Sequence, residues 1–314
     1  MASGLLTIGL TTMDIVARPI DSLTHTERAI FIDGIAATPA GTAGGAAMVA
    51  AKLGLPVKIV GAVGDDLMGA YVRLGFQSVG VDVSLLAVRP GERTSTTLLT
   101  VESDGRRSSY HAPGAGVSAT VDEAVIAAAS VSRFVHYAAV GGRATDGGPG
   151  AALLEAAKAA GAIVTCDLIG PRKSAVDELK RLLPFVDYFL PSAAEAAFLT
   201  GSDDVPAAAE AFRAMGAVAC IIKTGSTGSY ASIGDERRVI PAHAIEPVDT
   251  TTCGDSYCAG FIAALDRGWP PLEACRFATA TAALVAQGLA SLGKLESFEA
   301  TERFMRETPT ADEA

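Results

Sequence analysis

The chain has 314 residues, 49% of them apolar, and carries a formal net charge of −10. A chain of this length buries a substantial core, and we expect residues 1–314 to form a single domain. The acidic balance and the lack of clustered Lys and Arg argue against nucleic acid as a partner. No signal-like segment opens the chain and no apolar stretch reaches about 18 residues, so we expect a cytoplasmic protein that does not contact the membrane.

The predicted elements alternate between strands and helices along most of the chain. Strands are predicted at residues 5–10, 57–63, 134–137, 162–167, 188–190 and 219–223, and helices at 46–53, after 66 to about 79, and at 120–129, 149–160, 174–183 and 205–215. This alternation indicates right-handed βαβ units and a mainly parallel sheet. Ligands of such sheets bind at the carboxyl ends of the strands.

Two segments are rich in strand-forming residues and have no helix of their own, at about 14–38 and 93–112. The second contains a β-branched run, a turn at 103–105 and another strand, which predicts a hairpin. A small sheet built from both segments would cover the strand ends as a lid. The tail after about Thr308 is expected to lack ordered structure.

Residues 247–261 form a loop of small side chains that runs into an apolar helix, with Asp255 where the helix begins. Backbone amides at a helix N-terminus are unpaired and attract anions such as a phosphoryl group. A carboxylate beside them can take a proton from an attacking hydroxyl. These are the two parts that phosphoryl transfer requires of a protein. The alternative is an ordinary capped turn before a buried helix.

This loop resembles the C-terminal signature of the ribokinase-like (PfkB) carbohydrate kinase family. The family pattern is retained at six positions: Asp249, Thr250, Thr251, Gly254, Asp255 and Tyr257. The chain departs from it at Thr252, where the family usually has Gly, and at Cys253. A Thr at this position crowds the phosphate or resists a positive φ, which only Gly adopts freely. Beside helix amides, the Cys253 thiol would be unusually acidic; the alternative is plain packing.

The resemblance implies an α/β fold with three α/β/α layers, a mainly parallel central sheet and a small β-sheet lid. It also implies that Asp255 is the catalytic base and that the amides of Thr252, Cys253, Gly254 and Asp255 form an anion hole. Residues 60–69 and 80–82 resemble the N-terminal signature region; the alternative there is a βα turn that serves only the fold.

The acceptor site is implied by three residues. Asp14 follows the first strand and matches the acidic residue that holds acceptor hydroxyls, although it could instead form or cap a turn. Gly41 belongs to the hinge before the first helix. Gly45 stands where the family has an Asn that binds sugar hydroxyls, which leaves the substrate class open.

The nucleotide site is implied by the turn after the strand at 219–223. Lys223, Thr224, Gly225 and Gly228 match residues that contact the nucleotide phosphates. Glu195 matches the Glu of an Asn-x-x-Glu motif that organises Mg²⁺ through water, with Ser192 in place of the Asn; the alternative is a first-turn Glu that serves the helix dipole. Asp167 ends its strand without an assigned role.

The sequence therefore predicts an ATP-dependent kinase for a hydroxyl of a sugar or related small molecule, with ATP and Mg²⁺ and, still open, a monovalent cation such as K⁺. A nucleoside (adenosine-like) kinase is an alternative, because Ile30, Phe31, Ile32 and Ile35 make the lid apolar. A catalytically impaired binding protein and a nucleotide-dependent oxidoreductase are further alternatives. A lid sheet with exposed edges predicts a homodimer.

Overall fold

The first strand of the fold sends alternate side chains into two separate cores. The computed structural model describes residues 3–22, 27–170 and 172–313. Within them, Leu5 packs into one core, and Leu6 and Ile8 pack into the other. Because successive side chains of a strand point to opposite faces, both faces of this sheet are covered by other elements.

The large sheet has nine strands in the order β13-β12-β11-β10-β9-β8-β1-β4-β5. Its strands are β1 (Leu5–Gly9), β4 (Val57–Gly64), β5 (Asp82–Arg89), β8 (Phe134–Val140), β9 (Ile163–Leu168), β10 (Tyr188–Phe189), β11 (Ala219–Lys223), β12 (Ser229–Ile233) and β13 (Glu236–Ile240). The strands from β5 to β11 pair in parallel, and β12 and β13 add an antiparallel hairpin at one edge.

Helices cover the two faces of this sheet. One face carries α1 (Thr42–Lys52), α2 (Leu67–Ser78), α8 (Cys253–Asp266), α9 (Pro271–Ala286) and α10 (Phe298–Glu307). The other carries α3 (Glu123–Val131), α4 (Pro149–Ala159), α5 (Ala175–Leu182), α6 (Ala193–Thr200) and α7 (Val205–Ala214). The buried positions of α1 and α8 are mostly Ala, Gly and other small residues, so these two helices approach each other closely. This approach determines the shape of the candidate site.

A second sheet of four strands is formed by β2 (Thr12–Arg18), β3 (Gly34–Ala40), β6 (Thr96–Val101) and β7 (Arg107–Ala112). Its order is β3-β2-β6-β7. The first two strands come from the early β-rich segment and the last two from the predicted hairpin. This sheet packs three buried side chains, Val16, Leu99 and Val101, against Ala290, which follows α9 in the chain. We call it the small sheet.

The three-layer α/β/α architecture with a mainly parallel sheet and a smaller second sheet is confirmed. Element ends differ from the predicted ones by a few residues at most positions, as expected when helix ends fray. The strands β5, β12 and β13 and the helices α9 and α10 were not predicted. In the described ranges, no helix has both the length and the apolar character required to cross a membrane.

The prediction of a disordered tail after Thr308 is wrong. His243 and Thr310 form an antiparallel bridge. The amide of Ala311 donates to the carbonyl of Ala242 at 2.7 Å, and that of Ala244 donates to the carbonyl of Pro309 at 3.0 Å. Backbone pairing of this kind orders a polar segment that has little apolar surface to bury.

Candidate active site

The loop before α8 is held in place by a buried carboxylate. Oδ1 of Asp249 accepts a hydrogen bond from the amide of Thr251 at 2.8 Å, and Oδ2 accepts one from the amide of Ala290 at 2.9 Å. Asp249 is fully buried. Its two oxygens are therefore committed to the backbone, so Asp249 positions the loop and does not take part in proton transfer.

Helix α8 starts directly after Thr252, whose backbone has φ 63° and ψ 0°. This left-handed conformation is unfavourable for a β-branched residue. The amide of Cys253 donates to the carbonyl of Thr250 over a long 3.4 Å. The amides of Thr252, Gly254 and Asp255 donate no hydrogen bond to any described residue. These free donors and the helix dipole make the start of α8 attractive to an anion.

Asp255 lies in the first turn of α8; the residue is partly exposed, but its carboxyl group is buried. Burial raises the pKa of its carboxyl well above the usual value, and the negative charge of Asp167 raises it further. Asp14 and Glu195 act in the same direction, whereas Lys223 opposes them. A carboxylate with a raised pKa is a stronger base near neutral pH.

Asp14 lies on β2 of the small sheet, opposite Thr97 of β6. Its Oδ1 accepts a hydrogen bond from the Thr12 hydroxyl at 2.8 Å. Burial raises the pKa of this carboxyl, and the hydrogen bonds from Thr12 and Thr97 partly offset the effect, with smaller contributions from His111 and Arg107. Because its charge acts on Asp255, the structure brings Asp14 to the same site as the start of α8.

The two glycines predicted for the acceptor site lie where neighbouring segments approach α1 closely. Gly41 precedes α1 with φ 92°, and a Cβ there would lie 2.5 Å from the carbonyl oxygen of Leu10. A Cβ on Gly45 would lie 2.3 Å from Cγ2 of Thr252 and 2.9 Å from Oδ2 of Asp255. Gly45 therefore allows α1 to pack directly against the loop before α8.

Lys223 and Asp167 form a buried ion pair at the ends of β11 and β9, which we call the strand-end pair. Nζ of Lys223 lies 2.5 Å from Oδ2 of Asp167 and 3.6 Å from Sγ of Cys258. Burial lowers the pKa of Lys223, but Asp167 together with Cys258 and Glu195 outweighs burial, so the pKa is raised. A Cβ on Gly254 would lie 3.6 Å from Nζ, which places the ammonium group directly beside the start of α8.

A cavity of about 490 Å³ opens beside this ammonium group. Lys223, Gly225 and Gly228 line it, together with Gly254 from α8. Thr224 does not line the cavity; its amide donates to the carbonyl of Gly228 at 2.8 Å and closes the turn. The opposite wall is apolar and consists of Ile245, Pro247, Ala282, Ala283, Ala286 and Ala311. The tail residue Ala311 is thus part of this wall.

Glu195 serves the N-terminus of α6. Its Oε2 accepts hydrogen bonds from the amide and the hydroxyl of Ser192, at 2.8 and 2.7 Å. The two residues form a capping box, and the pKa of Glu195 is raised by burial and then by Asp167. Oε1 has no hydrogen bond among the described residues, so one oxygen remains available to a metal-bound water. No described group of three or more metal-type side chains converges into a complete metal site.

The expectation of an acidic thiol at Cys253 is wrong. Burial raises the pKa of Cys253 to about 12, and Asp249 adds to this effect. The nearby charge of Arg107 opposes it only in part. Desolvation of a thiolate therefore outweighs the helix dipole here, and Cys253 is a packing residue with a protonated thiol.

Arg107 is a residue of this site that the sequence did not indicate. It lies on exposed β7, and Nη1 donates to Oγ1 of Thr251 at 3.0 Å. No carboxylate of the described residues forms an ion pair with it. The two residues are 144 positions apart in the sequence, so only the fold brings the small sheet to the loop before α8.

The chain is similar in sequence to known kinases. The profile of the pfkB family carbohydrate kinases covers residues 3–294, and the chain belongs to this family. A fructokinase from Klebsiella pneumoniae is 28% identical over 72% of this chain and 76% of its own length. A nucleoside kinase from Methanothermobacter thermautotrophicus is 27% identical over 96% and 95%.

Solved structures agree on the fold. Arabidopsis thaliana ribokinase, complexed with ribose and ATP, superposes with a TM-score of 0.78 at 24% identity, over 98% of this chain and 99% of that one. A structure from E. coli described as a ribokinase II, in complex with ATP and Mg²⁺, gives a TM-score of 0.81 at 22% identity, over 97% and 99%. Family membership makes this chain an ATP-dependent kinase that phosphorylates a hydroxyl of a sugar or related small molecule.

Proposed function

We propose that Asp255 is the general base with which this kinase phosphorylates its acceptor. The observation that carries the proposal is a carboxylate of raised pKa in the first turn of α8, beside free backbone amides. Asp14 supplies a second carboxylate, close enough for its charge to act on Asp255, and binds acceptor hydroxyls. Gly41 lets the chain pass close to the backbone of Leu10, and Gly45 lets α1 pack closely on Thr252 and Asp255.

The reaction follows from these positions. Asp255 takes the proton of the acceptor hydroxyl, whose oxygen forms a bond to the γ-phosphorus of ATP. The bond between this phosphorus and the bridging oxygen breaks, and its electron pair leaves with ADP. The amides of Thr252, Cys253, Gly254 and Asp255 stabilise the charge on the transferring group. The small sheet excludes water, which would otherwise compete as the acceptor.

We assign the apolar cavity to the adenosine part of ATP and the turn after β11 to its phosphates. Lys223 lies between the cavity and α8, so its charge faces the phosphate chain. Gly225 and Gly228 line the same space, and Thr224 fixes the turn that presents them. Arg107 adds a second positive charge at the loop that contains the anion hole.

Magnesium fits this site as a cation that is held mainly by the nucleotide. Mg²⁺ in phosphate sites keeps several waters and uses one or two carboxylates, and Glu195 offers one free oxygen. When bound, Mg²⁺ would neutralise charge on the phosphates. A monovalent cation such as K⁺ is a further part of the proposal, and only the family resemblance supports it. Replacement of K⁺ by choline in the assay tests this part.

The acceptor is a sugar or, as a second candidate, a nucleoside. The nucleoside candidate is favoured by the nucleoside kinase that matches 96% of this chain. It is also favoured by three exposed apolar residues on β3 and in the segment before it: Ile30, Phe31 and Ile35. A nucleoside base needs such a surface. A coupled assay of ADP formation against sugars and nucleosides at matched concentration tests this proposal. It fails if no acceptor raises ADP formation above the acceptor-free rate.

We also propose that two copies associate through the outer face of the small sheet. Leu98 pairs with Ile15 and Tyr110 across the strands, and Leu98 and Tyr110 are 43% and 51% exposed. An exposed apolar patch on a sheet marks an interface. Light scattering is expected to give a dimer for the wild type and a monomer for Leu98→Glu. A monomeric wild type at 100-fold above the assay concentration contradicts this.

A further inference from the structure

Two separate departures from the family pattern, Gly45 and Thr252, meet in space. A Cβ on Gly45 would lie 2.3 Å from Cγ2 of Thr252, a distance at which carbon atoms cannot coexist. It would also lie 2.9 Å from Oδ2 of Asp255. The Thr252 methyl group therefore occupies the space in which a side chain at position 45 would begin. With Thr at 252, a side chain at position 45 would force Thr252 or α1 to shift.

Thr252 has little freedom to move out of this space. Its backbone is held in the left-handed conformation at φ 63°, and its carbonyl accepts hydrogen bonds from the amide and the hydroxyl of Ser256 at 2.8 Å. Its Oγ1 faces the Ser291 hydroxyl at 3.4 Å, and Ser291 in turn donates to the carbonyl of Pro39 at 2.8 Å. With the hydroxyl on that side, the methyl group is directed to Gly45.

We propose that Gly45 and Thr252 form one specificity element. It places a methyl group beside the catalytic carboxylate and removes any polar side chain of α1 from this part of the acceptor site. The inference rests on the proposed function, because it concerns the acceptor of the same site. A site that hydrogen-bonds a substrate hydroxyl rejects the analogue that lacks it, whereas an apolar wall does not. The acceptor therefore presents a carbon without a hydroxyl, as in a deoxy sugar or a deoxynucleoside, to Thr252.

The contact itself is tested by a thermal double-mutant cycle with Gly45→Ala, Thr252→Ser and the double variant. Ser keeps the hydroxyl and removes only the methyl group. In the wild-type background, Gly45→Ala is expected to lower the melting temperature by roughly 3 °C or more, because the added methyl group overpacks the contact. In the Thr252→Ser background, the same substitution is expected to lower it by less than half as much. Equal shifts in both backgrounds overturn the contact.

Gly44→Ala provides the matched control on the same helix. Its Cβ would lie 3.1 Å from the Phe76 ring and not near Thr252. Its thermal shift is therefore expected to be the same with Thr252 and with Ser at position 252. A coupling of Gly44 equal to that of Gly45 would show a general effect of the helix rather than this contact.

The specificity is tested with acceptor pairs that differ by one hydroxyl: ribose and 2-deoxyribose, adenosine and 2′-deoxyadenosine. For the pair that the wild type phosphorylates faster, its kcat/KM for the deoxy member is expected to lie within about threefold of its kcat/KM for the hydroxylated member. The variant Gly45→Asn with Thr252→Gly gains an amide that donates and accepts hydrogen bonds, and is expected to prefer the hydroxylated member by about tenfold or more.

A wild type that prefers the hydroxylated member by tenfold overturns the specificity claim, and so does a double variant that folds but shows no new preference. An enzyme that phosphorylates no acceptor overturns the proposed function together with the specificity claim, while the thermal cycle still decides whether the contact exists. Both parts of the inference are supported if the thermal shift of Gly45→Ala depends on the residue at position 252 and if the wild type phosphorylates the deoxy member about as well as the hydroxylated one.

Discussion

The strand-end pair and the start of α8 lie side by side, and each contains a carboxylate. The carboxylate of Asp167 is paired with a cation, whereas that of Asp255 is paired with none among the described residues. Asp167 contacts Lys223 at 2.5 Å and the thiol of Cys258 at 3.3 Å. Asp255 forms no ion pair or hydrogen bond through its carboxylate with any described residue. A paired carboxylate maintains geometry, whereas an unpaired one of raised pKa is free to accept a proton.

The two cations of the site show the same contrast. Lys223 is buried and paired with Asp167, so its charge is partly neutralised before a phosphate arrives. Arg107 lies on the exposed strand β7, donates a side-chain hydrogen bond to the neutral Thr251 hydroxyl and forms no ion pair with a described carboxylate. The large sheet thus provides a fixed, nearly neutral floor, and the small sheet brings to it a positive charge that forms no ion pair with any described residue.

The largest effect on stability is expected from breaking the strand-end pair. Asp167→Asn leaves the Lys223 ammonium group buried without a counter-charge, and the free energy of unfolding is expected to fall by about 3 kcal/mol or more. Urea denaturation measures this. The control is Asp177→Asn, which removes the exposed pair with Lys180 and is expected to change stability by less than about 1 kcal/mol. Equal losses in both variants would contradict the contrast between the two regions.

A smaller effect, on turnover, is expected from Arg107→Met. Loss of a charged hydrogen-bond donor at the catalytic loop is worth roughly 1.5 kcal/mol, which lowers kcat by about tenfold. The neighbouring Arg106 pairs with Glu102 and Asp104 at the hairpin turn, so Arg106→Met is the matched control and should leave kcat within about twofold. A tenfold loss in both variants would indicate a general disturbance of the hairpin.

The smallest effect is expected from Asp255→Asn on stability, and its sign is opposite to that of Asp167→Asn. Because the folded-state pKa of Asp255 is raised by burial, ionisation of this group destabilises the fold above the unfolded-state pKa. Asp255→Asn should therefore raise the melting temperature at pH 7, and the difference should disappear as the pH falls below the ordinary range of an Asp. A lower melting temperature at pH 7 would indicate a stabilising partner for Asp255.

Local sequence was sufficient for the parts of the site that depend on one segment. The position of Asp255 at a helix start follows from a small-residue loop before an apolar run, and the small sheet follows from two β-rich segments without helices. The positive φ suspected at position 252 is present, with Thr in that conformation. This strain was detectable because only Gly adopts such a φ freely.

Contacts between distant segments could not be predicted in this way. The Arg107–Thr251 hydrogen bond and the contact of Gly45 with Thr252 depend on how the small sheet and α1 pack on the catalytic loop. The sequence left an acidic thiol and plain packing open for Cys253, and only its burial, which is a tertiary property, favours packing. The ordered tail was missed because its stability comes from backbone pairing with 242–244, which side-chain patterns do not report.

The most direct test of the account is the rate of a single turnover by Asp255→Asn with the best acceptor and saturating ATP. Loss of the general base is expected to lower the rate constant of phosphoryl transfer by about 100-fold or more. ATP affinity should stay within about threefold of the wild type, because the nucleotide cavity and Lys223 are unchanged. A transfer rate within about threefold of the wild type would contradict the assignment of Asp255 as the base.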